Sequence, residues 1–225
     1  MFNSKTQVLI LYIVLGFIVM ALYTNNATWQ GNVEVLRDCV ILIWTTSLMD
    51  LLLFGRGLGR LFGIRPRQPI GLLGVVFSPL FHRDFGHLLA NTLPFLVLGW
   101  LILVQGELGT AADFYTITII ILLIGGLGTW LFGREAIHLG ASGLIFGYIG
   151  FLLISGYEGP TLLTVGFAAI VLLMYGNQLW SMIPSSGDKT ISWEGHLFGF
   201  MGGVVAGTYP DLLLRISTEL TNLVK

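Results

Sequence analysis

Two short runs hold the residues whose types could do chemistry. Gly140-Ala141-Ser142-Gly143 heads one apolar segment, and Glu194-Gly195-His196 heads another. A hydroxyl and an imidazole at matching depths of two helices are the parts of a nucleophile and its general base, the imidazole taking the proton as the oxygen attacks an acyl carbon. His87 and Asn91, at i and i+4, put two side-chain donors on one helix face. Such donors can hold a tetrahedral oxyanion. Each residue alone has a structural use. A serine at a helix start can cap a free backbone N–H. A lone histidine more often packs, and His87 with Asn91 could brace helices through hydrogen bonds worth about 0.6–2 kcal/mol in a membrane. Together they supply what each needs from the others, which is the equipment of a serine hydrolase.

The elements that must position them are set by composition. Of 225 residues, 55% are hydrophobic and only 10% charged, against about 25% charged in a soluble domain. The 30 glycines fit a membrane bundle, where small residues let helix backbones approach closely. A net charge of -1 excludes a nucleic-acid partner that needs a basic face. The one cysteine, Cys39, precludes an intramolecular disulfide and leaves the compartment open.

A transmembrane helix takes roughly 20 mostly apolar residues. The expected spans are 7–24, 34–54, 87–104, 113–132, 142–155, 160–182 and 196–214. The first follows Lys5 and lacks a small-x-small cleavage site after its apolar core, so it is expected to be retained. The span at 142–155 is short, which sets Ser142 below the membrane surface. Irregular backbone at that depth needs protein or a water-filled cavity around it. The longest connection, 55–86, holds Arg56, Arg60, Arg65 and Arg67 before an apolar stretch at 70–81. A structure lying in the interface is expected there, arginines at the headgroups.

Alternation of sides gives an independent check. His87, Ser142 and His196 open the third, fifth and seventh spans, so they start on one side. His82 and His138 fall there too, placing all four histidines on one face. Ionisable residues inside a membrane are costly and mark functional sites. His196, Gly199 and Gly203 share a helix face, and Gly143, Gly147 and Gly150 form a similar stripe. Two glycine-faced helices could bring Ser142 and His196 within about 2.6–3.2 Å of one another. Phe146, one turn below Ser142, could pack on the imidazole.

These residues resemble the rhomboid intramembrane serine proteases. His82-Arg83-Asp84-Phe85-Gly86-His87-Leu88-Leu89-Ala90-Asn91 is similar to the family's His-x4-His-x3-Asn signature. Gly140-Ala141-Ser142-Gly143 is similar to its Gly-x-Ser-Gly, and Gly195-His196, Gly199 and Gly203 to its last helix. The resemblance covers about 34–214. It implies an all-α polytopic membrane protein with a six-helix core over 33–216, one extra N-terminal transmembrane helix and linker over 1–32, and a C-terminal tail over 217–225. It implies a Ser–His dyad with no acidic third member, Ser142 as nucleophile and His196 as base. His87, Asn91 and the Ser142 N–H would form the oxyanion hole, with His82, Gly140, Gly143, Phe146, Gly199 and Gly203 in support. Substrates of similar enzymes are single-pass membrane proteins, cut in or near an easily unwound helix in the lipid bilayer. A multi-pass protein of a prokaryotic plasma membrane is implied, with no particular oligomeric state. Two departures stand out. The long loop lacks the Trp-Arg pair of some bacterial members, its 63–67 run resembling another prokaryotic subset. Phe146 stands where some members have Tyr.

Other chemistries fare worse. No His-Glu-x-x-His run offers a zinc site, and no Asp, Glu or Cys joins the four histidines at ligand-like spacing, so no metal or other cofactor is expected. No pair of mid-helix aspartates suggests an aspartyl protease. A channel would need polar residues along a continuous path, which the opposite helix ends lack. The alternative from another class is a rhomboid-like membrane protein that binds or chaperones transmembrane clients without cutting them; such relatives commonly lack the serine and histidine. Sidedness divides the two kinds of argument. Eight of the 11 basic residues fall on the Ser142 side, which the positive-inside rule puts in the cytoplasm, whereas the resemblance implies an extracytoplasmic opening.

Overall fold

A computed structural model describes residues 26–105, 110–184 and 191–209, with single positions 8, 12, 15, 16, 215, 216, 218, 219 and 222. The described residues are helical apart from loops and one isolated bridge between Ile64 and His138. The span expected over 7–24 lies outside them except for positions 8, 12, 15 and 16, as do residues 210–214 of the last one.

Helix α1 runs over Ala27–Leu52. It starts earlier than the expected 34, so residues 27–32, read from the sequence as part of a linker, are helical. The reasons are one local cap and one distant contact. The Asn26 side chain caps the start by accepting the Trp29 N–H, and Asn32 is buried with its amide donating to the Leu103 carbonyl at 2.9 Å. Asn32, Leu36, Ile43, Ser47 and Asp50 form the buried stripe, at spacings that keep one helix face inward.

The long connection is folded throughout. Helix α2 (Gly57–Phe62) has its first amides held by the buried Asp50 carboxylate, which accepts Leu58 N–H at 2.8 Å and Gly59 N–H at 2.9 Å. A 3-10 turn at Pro69–Leu72, helix α3 (Leu73–Phe77) and a second 3-10 turn at Ser78–Leu80 follow. Ile64 and His138 exchange backbone hydrogen bonds of 2.9 Å, and Gly140 N–H donates to the Ser78 carbonyl at 3.0 Å. The connection is thereby stitched to the segment that precedes Ser142.

Four helices build the rest of the bundle. They are α4 (Phe85–Leu103), α5 (Ala111–Phe132), α6 (Ser142–Glu158) and α7 (Leu162–Tyr175), the last running on as a 3-10 helix over Gly176–Met182. Helix α8 (Trp193–Thr208) completes it. Three elements are long and apolar enough to cross a membrane: Phe85–Leu103, Ala111–Phe132 and Leu162–Met182. This holds of the described residues; the other expected spans that fall among them are helices that do not meet that length and composition. Helix α1 carries Glu34, Arg37, Asp38 and Asp50, and α6 and α8 are short. At about 1.5 Å per residue, these two are roughly 24–26 Å long, less than a hydrocarbon core of about 30 Å. Helix α6 is apolar all round and buried all round, from Leu144 to Leu152, as a central helix must be.

Helices α6 and α8 meet main chain to main chain. A Cβ placed on Gly199 would strike the Gly143 carbonyl, and one on Gly203 the Gly147 carbonyl. On its other side α8 packs on α5, where a Cβ at Gly125 would sit 3.0 Å from the Gly199 Cα. The glycine stripes are needed because no side chain fits between these backbones.

Candidate active site

Each expected residue takes its position from a local feature of the chain. Asp84 caps α4, accepting the His87 N–H at 2.8 Å. That bond and the adjoining Arg83 guanidinium hold the Asp84 carboxyl below its usual range. The cap turns His87 and Asn91 along one side of α4. Asn91 is buried and spends one amide proton on the His87 carbonyl at 2.9 Å, leaving the other free of any partner among the described residues. Pro94 lies inside the same helix, so the Ala90 carbonyl loses its helical partner.

The turn before α6 depends on Gly140. Its φ of 109° lies in the region that favours glycine, and a Cβ there would fall 2.5 Å from His87 Cε1. The bare glycine lets the His87 ring lie over the turn. Ser142 is the first residue of α6, and Ala141 occupies the cap position. The Ser142 hydroxyl accepts no backbone N–H among the described residues, so the capping use weighed for it is not realised.

His82, almost fully buried, supports this turn. Ser47 O–H donates to the Leu80 carbonyl at 2.8 Å, and His82 Nδ1–H donates to the Ser47 Oγ at 2.9 Å. His82 Nε2 is left to accept the Ala141 N–H at 3.4 Å. Burial pushes the His82 imidazole down to about 3, with the neighbouring His87 adding to the effect and Asp84 opposing it. It is therefore neutral, as an acceptor at Nε2 requires.

Two residues given no role from the sequence tie the Ser142 turn to the start of α8. Ser192 caps α8 through the Gly195 N–H. Its hydroxyl also lies 2.6 Å from His138 Nδ1, while His138 Nε2–H donates to the Arg134 carbonyl at 3.1 Å. Burial lowers the His138 imidazole below its ordinary value. Glu194, with no exposed surface, accepts the Arg134 N–H at 3.0 Å and faces the Arg134 Nε at 3.6 Å. The signal for Ser192 was present, a serine just before an apolar helical run. The sequence placed His138 on the same face but gave no sign that the two would pair.

His196, in the first turn of α8, is held on two sides. The Phe146 ring stacks on it, centroids 4.1 Å apart and planes at 11°. Its Nδ1 lies 2.9 Å from the Ser181 Oγ and 3.3 Å from the Ser181 carbonyl oxygen. Ser142, His196, His87, Asn91, Phe146 and Ser181 all line one cavity of about 340 Å³. A second cavity of about 230 Å³ adjoins it through His87 and Arg83 and holds His82 and His138. Gly143, Gly199 and Gly203 sit behind, in the α6–α8 seam. Among the described residues no hydrogen bond joins Ser142 to His196, and no three His, Cys, Asp or Glu side chains converge at metal-ligand spacing.

A hydroxyl at a helix start, an imidazole with one nitrogen anchored and the other free, and two further donors around one cavity suit acyl transfer. The comparisons with known proteins give the family. The family model described as "Rhomboid domain" matches residues 70–210. Uncharacterized proteins of Mycobacterium bovis and Mycobacterium tuberculosis are 39% identical over 190 residues, covering 81% of this chain and 77% of theirs. An uncharacterized protein of Mycobacterium leprae is 38% identical over 154 residues, covering 64% of this chain and 58% of its own. The chain is a membrane protein that belongs to the rhomboid family, whose members are generally intramembrane serine proteases.

Proposed function

We propose that the chain is an intramembrane serine endopeptidase that cleaves transmembrane helices of single-pass proteins. The observation that carries this reading is the cavity shared by Ser142, His196, His87 and Asn91. The Ser142 Oγ attacks the scissile carbonyl carbon while His196 Nε2 takes its proton. The carbonyl oxygen becomes an oxyanion facing the side chains of His87 and Asn91 and the Ser142 N–H, which points out of the first turn of α6, where the helix dipole favours negative charge. Collapse breaks the C–N bond, and the imidazolium gives its proton to the leaving amine. Water then hydrolyses the acyl-enzyme by the same steps in reverse roles. Among the described residues no hydrogen bond joins Ser142 to His196, and catalytic hydrogen bonds are often long until substrate is bound.

The catalytic unit is a six-helix core of α1 and α4 to α8, preceded by an N-terminal transmembrane helix in the residues before α1 and followed by a tail over 217–225. Bacterial relatives support a prokaryotic plasma membrane as its location. One observation favours a second reading, a non-cutting client binder: the missing Ser142–His196 hydrogen bond. Labelling by a fluorophosphonate probe in detergent separates the two. Labelling that disappears in Ser142→Ala supports the protease, and no labelling of folded wild-type protein supports the client binder.

A further inference from the structure

A histidine base has two ring nitrogens, and only the unprotonated one can take a proton. What fixes the tautomer is whatever bonds the other nitrogen. In His196 that nitrogen is Nδ1, and among the described residues no carboxylate bonds it. Its neighbours are the hydroxyl and the carbonyl of Ser181.

The direction of these bonds follows from the proton count. The Ser181 O–H donates to the Gln178 carbonyl at 2.7 Å. A carbonyl only accepts, so the single hydroxyl proton is committed there. The Ser181 Oγ then offers only lone pairs to Nδ1, 2.9 Å away. The Ser181 carbonyl, at 3.3 Å, also offers only lone pairs. Both neighbours therefore require a proton on Nδ1. The neutral ring must carry its lone pair on Nε2.

Local structure explains why Ser181 is free to do this. It lies near the end of the 3-10 helix Gly176–Met182, whose last carbonyls lack helical partners. The Ile183 N–H goes to the Trp180 carbonyl instead. The end of a helix is also its negative pole, suited to an N–H donor.

We propose that Ser181 is the positioning residue of this site, holding His196 in the tautomer that is protonated at Nδ1 and basic at Nε2. The inference rests on the reading of Ser142 and His196 as nucleophile and base. When Nε2 takes the Ser142 proton, the imidazolium's other N–H already has acceptors. No proton leaves Nδ1, so the charge is carried by the ring and met by neutral oxygens.

The test is a two-bond ¹H–¹⁵N spectrum of histidine-labelled Ser142→Ala protein in detergent, with His196→Gln to assign the signal. The expected result is an unprotonated Nε2 and a protonated Nδ1. The opposite tautomer overturns the proposal without any change at Ser181. In Ser181→Ala the His196 signals should move toward a mixture of tautomers. Its kcat should fall roughly tenfold, as for one lost hydrogen bond, with KM unchanged and Ser181→Thr restoring both readouts. Unchanged tautomer and kcat in a folded Ser181→Ala also overturn it. If probe labelling misses Ser142 while the spectrum shows the Nδ1–H form, the protease reading fails and the assignment of the tautomer to Ser181 stands.

Discussion

The Phe146 ring lies nearly parallel to the His196 imidazole, 4.1 Å from it. One face of the imidazole is thus covered by a residue one turn along α6 from Ser142, so the helix that begins with Ser142 also orients His196. Aromatic pairs contribute about 0.5–1.5 kcal/mol beyond their buried area. Phe146→Ala is expected to lower kcat by roughly two- to tenfold on these grounds, with Phe146→Tyr close to wild type. Turnover of a transmembrane reporter in detergent measures both.

Ser142 and His196 are expected to act as one unit. Ser142→Ala and His196→Ala should each abolish reporter cleavage, and the double variant should be little worse than either single one. Multiplicative losses, read from residual rates at high enzyme concentration, would refute a shared mechanism.

The oxyanion donors should behave differently from the nucleophile. Removing one preorganised donor costs about 10²–10³ in rate, so Asn91→Ala and His87→Ala should keep slow activity and slow probe labelling. Asn91 already gives one proton to the His87 carbonyl, so Asn91→Ala also weakens the helix turn below His87. Loss of labelling in either variant, with Ser142→Ala still labelled, would invert the assigned roles.

Acid should loosen the fold through His82. Its ordinary value of 6.5 falls to about 3 in the folded protein. The unfolded chain therefore binds a proton that the native state refuses as pH falls through 6.5. Stability is full above that value and declines toward 3, where the native imidazole finally titrates. His82→Gln should flatten this slope by about one proton. Denaturant titrations in detergent at several pH values give the slope, and an unchanged one would show that His82 is not the group responsible.

Much of the site was legible because its motifs are local. His82, His87 and Asn91 are within ten residues, and the spacing of Gly199 and Gly203 from His196 follows helical period. The family follows from the same runs. Ser181, fifteen residues before the imidazole that it meets, was not legible, since its position depends on α7 tightening to a 3-10 helix at Gly176. Nor was the start of α1. Its first twelve residues carry Asn32, Glu34, Arg37 and Asp38, and only the distant Leu103 carbonyl gives Asn32 a reason to be buried. Spacing can set two helices side by side. It cannot choose the rotamers that would close a bond between Ser142 and His196.

Behind the cavity, α6 and α8 rest main chain on main chain, and a Cβ on Gly199 or Gly203 would strike the Gly143 or Gly147 carbonyl and push the helices apart. That seam tolerates little change. Among the residues that line the cavity itself are Ile145, Ile149, Tyr175 and Gln178, ordinary side chains that can grow, shrink or change polarity one at a time. On the protease reading, a lineage of this chain is therefore free to revise which helices it admits while the two helices that carry Ser142 and His196 keep their spacing.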